Sequence, residues 1–267
     1  MPFIDSHCHL HDHRIIQDIP HLLDRARAAG VTHMVTCATM ESNFYDTQEL
    51  AQFNPPILAC FGIHPWFLDS LTPGWKRMLA AFLANTPSGV GETGLDFMDR
   101  GADRDLQLEV FKTHLTLAQN LGRPINIHIR KAWDALIHIL KKNGPLTTPG
   151  LIHSFSGSAD LVPVLEKYNL YLSFSGASTR PNAKKTHQAL AAVSPDRILF
   201  ETDAPDLYPS LAKAHPLHVK NTREAINEPA LVAPILALAA EKRGQAVEEL
   251  TRMAYDNAQA VFAPLLT

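Results

Sequence analysis

Short apolar runs recur along the chain, and each is followed by a polar residue and then by a longer segment with helical spacing of apolar positions. The eight runs are PFID at 2–5, HMVTCAT from 33, ILACFGIHP from 57, GVGETGLD from 89, PINIHIR from 124, GLIHSFSG from 150, LYLSFSG from 170 and RILFETDAP from 197. Strands buried on both faces of a parallel sheet are almost continuously apolar and do not alternate. The pattern therefore predicts eight parallel strands connected by helices.

Helical spacing is clearest in the segment 105–122. Apolar residues recur there at the i, i+3 and i+4 positions of one helix face, namely at Leu108, Phe111, Leu115, Ala118 and Leu121. Gly122 is predicted to end this helix, and Gly30 is predicted to end a similar helix in the segment 18–30. The segment from 227 to the end predicts two closing helices.

Eight strand–helix units in roughly 250 residues are what a TIM (β/α)8 barrel requires. The main alternative is an open doubly wound sheet, which carries a glycine-rich phosphate loop after its first strand. This chain has HCHLHDH at that position. The sequence therefore predicts an α/β protein with the TIM barrel fold. Because no linker or shift of composition divides the chain, residues 1–267 are predicted to form one domain.

Composition narrows the class of protein. Apolar residues make up 46% of the 267 positions, charged residues make up 19%, and the net charge is −3, as in ordinary globular proteins. No apolar run reaches 18 residues, so no membrane span is expected, and because DSHCH begins at residue 5 we expect no secretory leader. The three cysteines form no CxxC pair, which favours a reducing, cytoplasmic setting. We expect no contact with a membrane, and a monomer is compatible with this composition.

A sequence pI near 6.5 argues against a broad basic face for long duplex nucleic acid. It leaves open a small pocket that holds phosphate, because local charge can differ from the total. The loop after the seventh run contains Arg180, Lys184 and Lys185, which could steer an anionic substrate or could simply be solvated.

Polar residues cluster at the carboxyl ends of the predicted strands, where TIM barrel enzymes place their chemistry. These residues are His7, His9, His64, Glu92, His128, His153 and Asp203. Imidazoles and carboxylates grouped at one level require either mutual charge pairing or a cation. The sequence therefore predicts a metal centre with nitrogen and oxygen ligands, for which Zn²⁺, Mn²⁺ and Mg²⁺ are all suitable.

The stretch DSHCHLHDHR contains four histidines at two-residue spacing. Residues two apart on a strand face the same way and lie roughly 6.5–7 Å apart, so two imidazoles can reach one ion but four cannot without a sharp turn. His7 and His9 are therefore the predicted ligands. His11 and His13 are expected in the following loop, either exposed to solvent or in contact with substrate. Cys8 is expected to point the opposite way and to pack as a small apolar residue.

The motifs DSHCHL, FGIHP, GVGETGLDF, INIHIRKA, IHSFSGS and FETDAP, with NEPALV and NAQAVF near the end, resemble the TatD family of metal-dependent hydrolases. That family is a branch of the amidohydrolase superfamily of TIM barrels. The resemblance implies two divalent cations, one held by His7, His9 and Asp203, the other by His128 and His153, with Glu92 as a bridge. The chain departs from the family at His11, where Asp is frequent, and at Thr93, where Ile is frequent.

Two cations about 3.5–4 Å apart can bind a bridging water and lower its pKa towards neutrality. Asp203 is the expected catalytic residue, which ligates a cation and accepts the proton of the attacking water; the alternative is a helix N-cap. His64 is expected to bind the phosphate or protonate the leaving oxygen, or else to be a packed structural imidazole. Arg130 could bind phosphate in bidentate fashion or form a surface ion pair. Glu201 is expected to support a ligand imidazole from behind.

Three functions remain open from the sequence. The leading hypothesis is hydrolysis of phosphodiester bonds, with a deoxyribonuclease acting on single strands or strand ends as the form that the resemblance implies. The alternative enzyme hydrolyses a carboxylic ester or amide, such as an aminoacyl ester on tRNA or a small lactone, on the same metal centre. The third hypothesis is that metals only stabilise the barrel and that its surface binds a partner. Structural zinc sites, however, are usually closed by four protein ligands, which often include Cys.

Overall fold

The computed structural model describes residues 1–98 and 103–266. Its single sheet contains eight parallel strands in the order β1 to β8. The strands are β1 Phe3–Cys8, β2 Val31–Cys37, β3 Ile57–Phe61, β4 Ser88–Asp96, β5 Ile125–Arg130, β6 Gly150–Ile152, β7 Leu170–Phe174 and β8 Ile198–Phe200. The predicted α/β TIM barrel is therefore confirmed.

Helices follow the strands in the alternation that the sequence predicts. They are α1 Ile19–Ala28, α2 Phe44–Phe53, α3 Trp75–Asn85, α4 Arg104–Leu121, α5 Trp133–Asn143, α6 Val162–Glu166, α7 Lys184–Ala192, α8 Val232–Arg243 and α9 Val247–Phe262. The prediction for 105–122 is confirmed to within one residue, and Gly122 ends α4 in the left-handed conformation at φ 60°. The two closing helices are also confirmed. Within the described ranges, no helix is long and apolar enough to cross a membrane.

The barrel is closed between β1 and the residues that follow β8. The Asp203 N–H donates to the carbonyl of His7 at 3.0 Å, and the His9 N–H donates to the carbonyl of Ala204 at 2.7 Å. Strand β8 stops at Phe200 and is shorter than the strand that the apolar run from 197 predicts. Beyond Phe200 the chain leaves the sheet ladder and bonds directly to the end of β1, which brings both segments to the same opening.

The barrel interior is apolar at the amino ends of the strands and polar at their carboxyl ends. Ile4, Val35 and Leu199 lie in one interior cluster with Val261 and Phe262 of α9. Helix α9 therefore covers one end of the barrel. The opposite end is left for polar side chains.

Cys8 is buried in the core, as predicted from its position between His7 and His9. All three cysteines are free and buried. Cys8 therefore packs as a small apolar residue on the face of β1 opposite to the histidines.

His114 on α4 supports the chain just before His64. It is fully buried, its Nε2 accepts from the Ile63 N–H at 3.0 Å, and its Nδ1–H donates to the Val110 carbonyl at 2.8 Å. Both nitrogens are satisfied only while the ring is neutral. Burial, only partly offset by the hydrogen bond to Val110, lowers the pKa of His114 to about 4.

We expect His114 to make the protein less stable in acid. The unfolded chain takes up this proton below about pH 6.5 and the folded chain only near pH 4, so the stabilisation present above pH 6.5 is lost as pH falls. Between pH 7 and pH 5 the loss is about 2 kcal/mol. Urea denaturation at both pH values should show that His114→Gln removes this part of the pH dependence. The exposed His138 provides the matched control, His138→Gln. An unchanged pH dependence in His114→Gln would contradict the assignment.

Candidate metal centre

The carboxyl ends of the strands bring all six predicted ligands and His64 into one cluster. His7 belongs to β1, Glu92 to β4 and His128 to β5, while His9, His64, His153 and Asp203 lie just beyond strand ends. His7 and His9 approach the same two carboxylates: their Nε2 atoms lie 3.6 and 3.4 Å from Glu92 Oε2, and 3.5 and 3.4 Å from Asp203 Oδ1. Residues as far apart as 7 and 203 thus share one polar site.

Glu92 lies between two pairs of imidazoles. Its Oε2 faces His7 and His9, whereas its Oε1 lies 3.1 Å from His128 Nδ1 and 2.8 Å from His153 Nε2. Glu92 is almost fully buried. Burial raises the pKa of Glu92, but the surrounding imidazoles outweigh that effect and hold the pKa well below its usual range. The carboxylate therefore stays charged in the middle of the cluster, with one oxygen directed to each pair.

Asp203 has an unusual backbone conformation, with φ of 58°. A non-glycine residue in this left-handed region is uncommon, and such residues concentrate at functional sites. Burial raises the pKa of Asp203, but hydrogen bonds from His7 and His9 lower it well below its usual range. The N-cap alternative is wrong, because the described chain contains no helix between Asp203 and the turn at Pro229–Leu231.

The outer nitrogens of His7 and His9 show which nitrogen of each ring is available to a cation. His9 Nδ1 lies 2.9 Å from the Cys37 carbonyl, which can only accept, so Nδ1 carries the hydrogen. His7 Nδ1 lies 2.9 Å from Asn126 Oδ1, and the amide nitrogen of Asn126 donates to the Ser6 carbonyl. Nε2 of His7 and of His9 is therefore the nitrogen that would face a cation, which would take the place of any proton on it.

The second pair of histidines faces carboxylates on its outer side. His128 Nε2 lies 3.3 Å from Asp96 Oδ2, which leaves Nδ1 as the nitrogen that would face a cation. His153 Nδ1 lies 3.5 Å from Glu201 Oε1, and that oxygen accepts from the Ser154 N–H at 2.7 Å. Glu201 thus lies behind His153, in the position expected for a residue that supports a ligand imidazole. Burial lowers the pKa values of His128 and His153, but nearby carboxylates raise both above the usual value.

The outer nitrogen of His64 faces a hydrogen-bond donor, whereas those of the other histidines face acceptors. Its Nδ1 accepts from the Trp66 N–H at 3.0 Å at the start of the 3-10 turn Pro65–Ser70, so the ring hydrogen must be on Nε2. Nε2 lies 3.3 Å from Glu92 Oε1. Burial lowers the pKa of His64 to about 4 despite the Glu92 charge. His64 is therefore a neutral hydrogen-bond donor facing the cluster.

The donor set suits divalent cations. Three groups have ligand atoms that all lie within 4.8 Å of one another; these are His7, His153 and Asp203, then His7, His9 and Glu92, and finally His64, Glu92 and His128. All the donors are imidazole nitrogens and carboxylate oxygens, which Zn²⁺ and Mn²⁺ accept. In the third group the ring hydrogen of His64 points inward, so the lone pairs of that group come from Glu92 and His128.

A cavity of about 480 Å³ opens above the cluster. His11 lines it and is partly buried, and His11 Nε2 lies 3.1 Å from the Asn43 amide nitrogen. The expectation of solvent exposure is thus wrong for His11, because the chain turns back towards the barrel after β1. His13 is exposed, as expected.

Arg130, the predicted phosphate-binding residue, is exposed at the end of β5 and does not line the cavity. Arg180, Lys184 and Lys185 are likewise exposed and lie outside the cavity wall. Among the described residues that form this wall, Arg223 is the one with a cationic side chain. The sequence analysis did not single out Arg223, because it lies far from any strand end, in the long segment after β8.

The chain is similar to a known family over almost its whole length. The family described as TatD related DNase matches residues 4–263. YabD of Bacillus subtilis, described as an uncharacterized metal-dependent hydrolase, is 32% identical over 261 residues, which cover 97% of this chain and 98% of YabD.

Solved structures show the same architecture. The crystal structure of YjjV, a TatD homolog from Escherichia coli K12, has a TM-score of 0.89 at 28% identity and covers 98% of each chain. A TatD family hydrolase from Entamoeba histolytica has the same fold, with a TM-score of 0.85 at 20% identity over 99% of each chain. These matches confirm the resemblance seen in the motifs: the chain belongs to the TatD related DNase family of metal-dependent hydrolases.

Proposed function

We propose that the protein is a phosphodiesterase that hydrolyses DNA with two divalent cations. In this proposal His7, His9 and Asp203 would hold the first cation, His128 and His153 would hold the second, and Glu92 would contribute to both sites. The observation that carries this proposal is the position of Glu92, each of whose oxygens faces one pair of imidazoles. A carboxylate has two oxygens and neutralises part of the charge of two cations, so it suits this position. Zn²⁺, Mn²⁺ and Mg²⁺ are the cations proposed.

When bound, two divalent cations lower the pKa of water towards neutrality and offset the charge that develops on a phosphoryl oxygen. The protein orients the reactants and moves protons. Asp203 is proposed to accept the proton of the attacking water, because its side chain lines the cavity and is 13% exposed, against 3% for Glu92. His7 and His9 hold Asp203 Oδ1 from one side.

DNA is proposed as the substrate because the family is described as TatD related DNase. The cavity supports an anionic substrate, since its acidic wall residues Asp12 and Asp206 are both bonded to Arg14 at 2.9–3.0 Å. Arg14 therefore offsets one of these two negative charges, and Arg223 on the same wall supplies a second positive charge that balances the other.

The test of this function uses purified protein with a labelled single-stranded oligonucleotide and added Mn²⁺ or Mg²⁺. We expect cleavage that EDTA abolishes and added cation restores, and mapping of the product ends distinguishes attack at ends from attack inside the strand. An aryl acetate and an aminoacyl-tRNA serve as parallel substrates. Turnover of either one without cleavage of the oligonucleotide would replace the proposal with hydrolysis of a carboxylic ester.

His64 is expected to donate a hydrogen bond to a phosphate oxygen without binding a cation. His64→Leu should therefore lower turnover by about 10²–10³-fold, the usual effect of losing one donor to the transition state. Its affinity for two Mn²⁺ ions, measured by calorimetric titration, should stay unchanged. Loss of one Mn²⁺ in this variant would instead identify His64 as a ligand.

Arg223 is expected to bind a phosphate of the substrate, whereas Arg130 is not, since only Arg223 lines the cavity. A charged hydrogen bond is worth about 1.5–3 kcal/mol, so Arg223→Gln should raise KM for the oligonucleotide at least about tenfold. Arg130→Gln is the matched comparison and should leave KM unchanged. The reverse order of effects would return the phosphate contact to Arg130.

A further inference from the structure

The carboxylate of Asp96 lies directly behind His128, at the end of β4. Asp96 is buried, and its Oδ2 lies 3.3 Å from His128 Nε2. The same oxygen accepts from the indole N–H of Trp66 at 2.7 Å, and Trp66 lines the cavity. Asp96 thus connects a predicted ligand to the wall of the cavity without touching the cavity itself.

Asp96 is held in place on both its backbone and its side chain. Gln107 of α4 accepts from the Asp96 N–H at 2.8 Å and donates to the Asp96 carbonyl at 3.0 Å. The Oδ1 atom accepts from the Met98 N–H at 2.9 Å. These bonds leave the carboxylate little rotational freedom, so His128 has an acceptor at a fixed point.

The groups that contact the outward-facing nitrogens of the histidines differ between the two proposed cation sites. His7 and His9 face neutral oxygens, from the Asn126 amide and the Cys37 carbonyl. His128 and His153 face the carboxylates of Asp96 and Glu201. The first site has Asp203 as a ligand of its own, whereas the second site shares Glu92 and has no further carboxylate ligand. The outer carboxylates therefore lie behind the site that contains fewer anionic ligands.

We propose that Asp96 is a positioning residue for the second cation site: it fixes the Nε2–H form of His128 and, with Glu201, supplies negative charge that the ligands of that site lack. The inference rests on the two-cation arrangement of the proposed function. A carboxylate that accepts from the outer nitrogen of a ligand histidine orients the ring and makes the inner nitrogen more basic. Asparagine would turn an N–H towards the Trp66 and His128 donors or towards the Met98 donor, so it cannot replace aspartate.

The test is calorimetric titration of Mn²⁺ into metal-free wild type, Asp96→Asn and the control Asp134→Asn, whose carboxylate is exposed on α5. Two ions should bind to the wild type and to the control. In Asp96→Asn one ion should bind about 10–100-fold more weakly, and the other should be unaffected. Equal weakening of both ions, or no weakening, would overturn the proposal.

A second measurement needs no variant of Asp96 itself. In ¹⁵N-histidine NMR of the wild type loaded with diamagnetic Zn²⁺, the His128 signals, assigned by their loss in His128→Gln, should show a hydrogen on Nε2 and none on Nδ1. The absence of a hydrogen on Nε2 in the Zn²⁺-loaded protein would exclude Asp96 as the acceptor. The titration measures metal binding and the NMR experiment measures ring protonation, so both test the proposal even if the protein cleaves no oligonucleotide.

Discussion

Glu92→Gln is expected to reduce cleavage of the oligonucleotide by at least roughly 10³-fold and to leave at most one tightly bound Mn²⁺ per chain. The amide removes the negative charge and turns an NH₂ group towards one of the two imidazole pairs, which lie 2.8–3.6 Å from the carboxylate oxygens. Losing the stabilisation that a cation gives to developing charge costs several kcal/mol, and each 1.36 kcal/mol is tenfold in rate. Elemental analysis and single-turnover cleavage measure the two effects.

The variant should remain folded, because glutamine has the size of glutamate and still offers polar atoms to the surrounding imidazoles. Glu49→Gln, which changes an exposed carboxylate on α2, is the control and should bind two ions and cleave at the wild-type rate. Two bound Mn²⁺ ions in Glu92→Gln would mean that Glu92 does not bridge the cations. Normal metal content with normal cleavage would remove the proposed centre altogether.

The fold could be predicted from the sequence because each strand is a separate apolar run. Burial on both faces makes such runs continuous, and helices between them end at glycines such as Gly122. Strand length was less predictable. The run from 197 continues past Phe200, but there the N–H groups of Thr202 and Asp203 donate to β1, to Asp5 Oδ1 and to the His7 carbonyl, and not to β7. Those are contacts between opposite ends of the chain, which local pattern does not contain.

The candidate ligands could be named from the sequence because strand ends of a barrel meet at one level. The hydrogen-bond partners of those ligands could not. Asn126 and Asp96 occupy ordinary positions within two predicted strands, and only the barrel geometry brings them behind His7 and His128. The donor role of His64 depends on the Trp66 N–H, a backbone group that every non-proline residue has, so no residue type indicates it.

The hydrogen-bond partner of the outer nitrogen determines what each histidine can bind with its inner nitrogen. His7, His9 and His128 have their outer nitrogens bonded to acceptors, which leaves the inner nitrogen for a cation, whereas the outer nitrogen of His64 is bonded to a donor and its inner nitrogen presents a hydrogen. Cations and an anionic substrate need opposite partners, so a site that binds both requires both kinds of imidazole. Under the proposed function, the hydrogen-bond acceptors behind the three proposed ligands and the donor behind His64 would separate cation binding from substrate binding among residues of the same type.

Asp203→Asn is expected to lower turnover by about 10³-fold or more even at saturating Mn²⁺. Asparagine keeps an oxygen that can ligate, but it cannot accept the proton of the attacking water, and it carries no charge to hold the first cation. The substitution changes the side chain without adding backbone strain, because asparagine tolerates the φ of 58° at this position, whereas alanine would not.

The measurements for Asp203→Asn are thermal melting, Mn²⁺ titration and cleavage under single-turnover conditions. The melting temperature should stay close to that of the wild type, and the first Mn²⁺ should bind more weakly, while the affinity of the second ion should change little. Raising the Mn²⁺ concentration until both sites are filled then separates the two roles of the carboxylate. Recovery of full turnover would show that Asp203 is only a ligand. Persistent loss with both ions bound would support Asp203 as the group that takes the proton, since weaker binding of the first ion would no longer explain the loss.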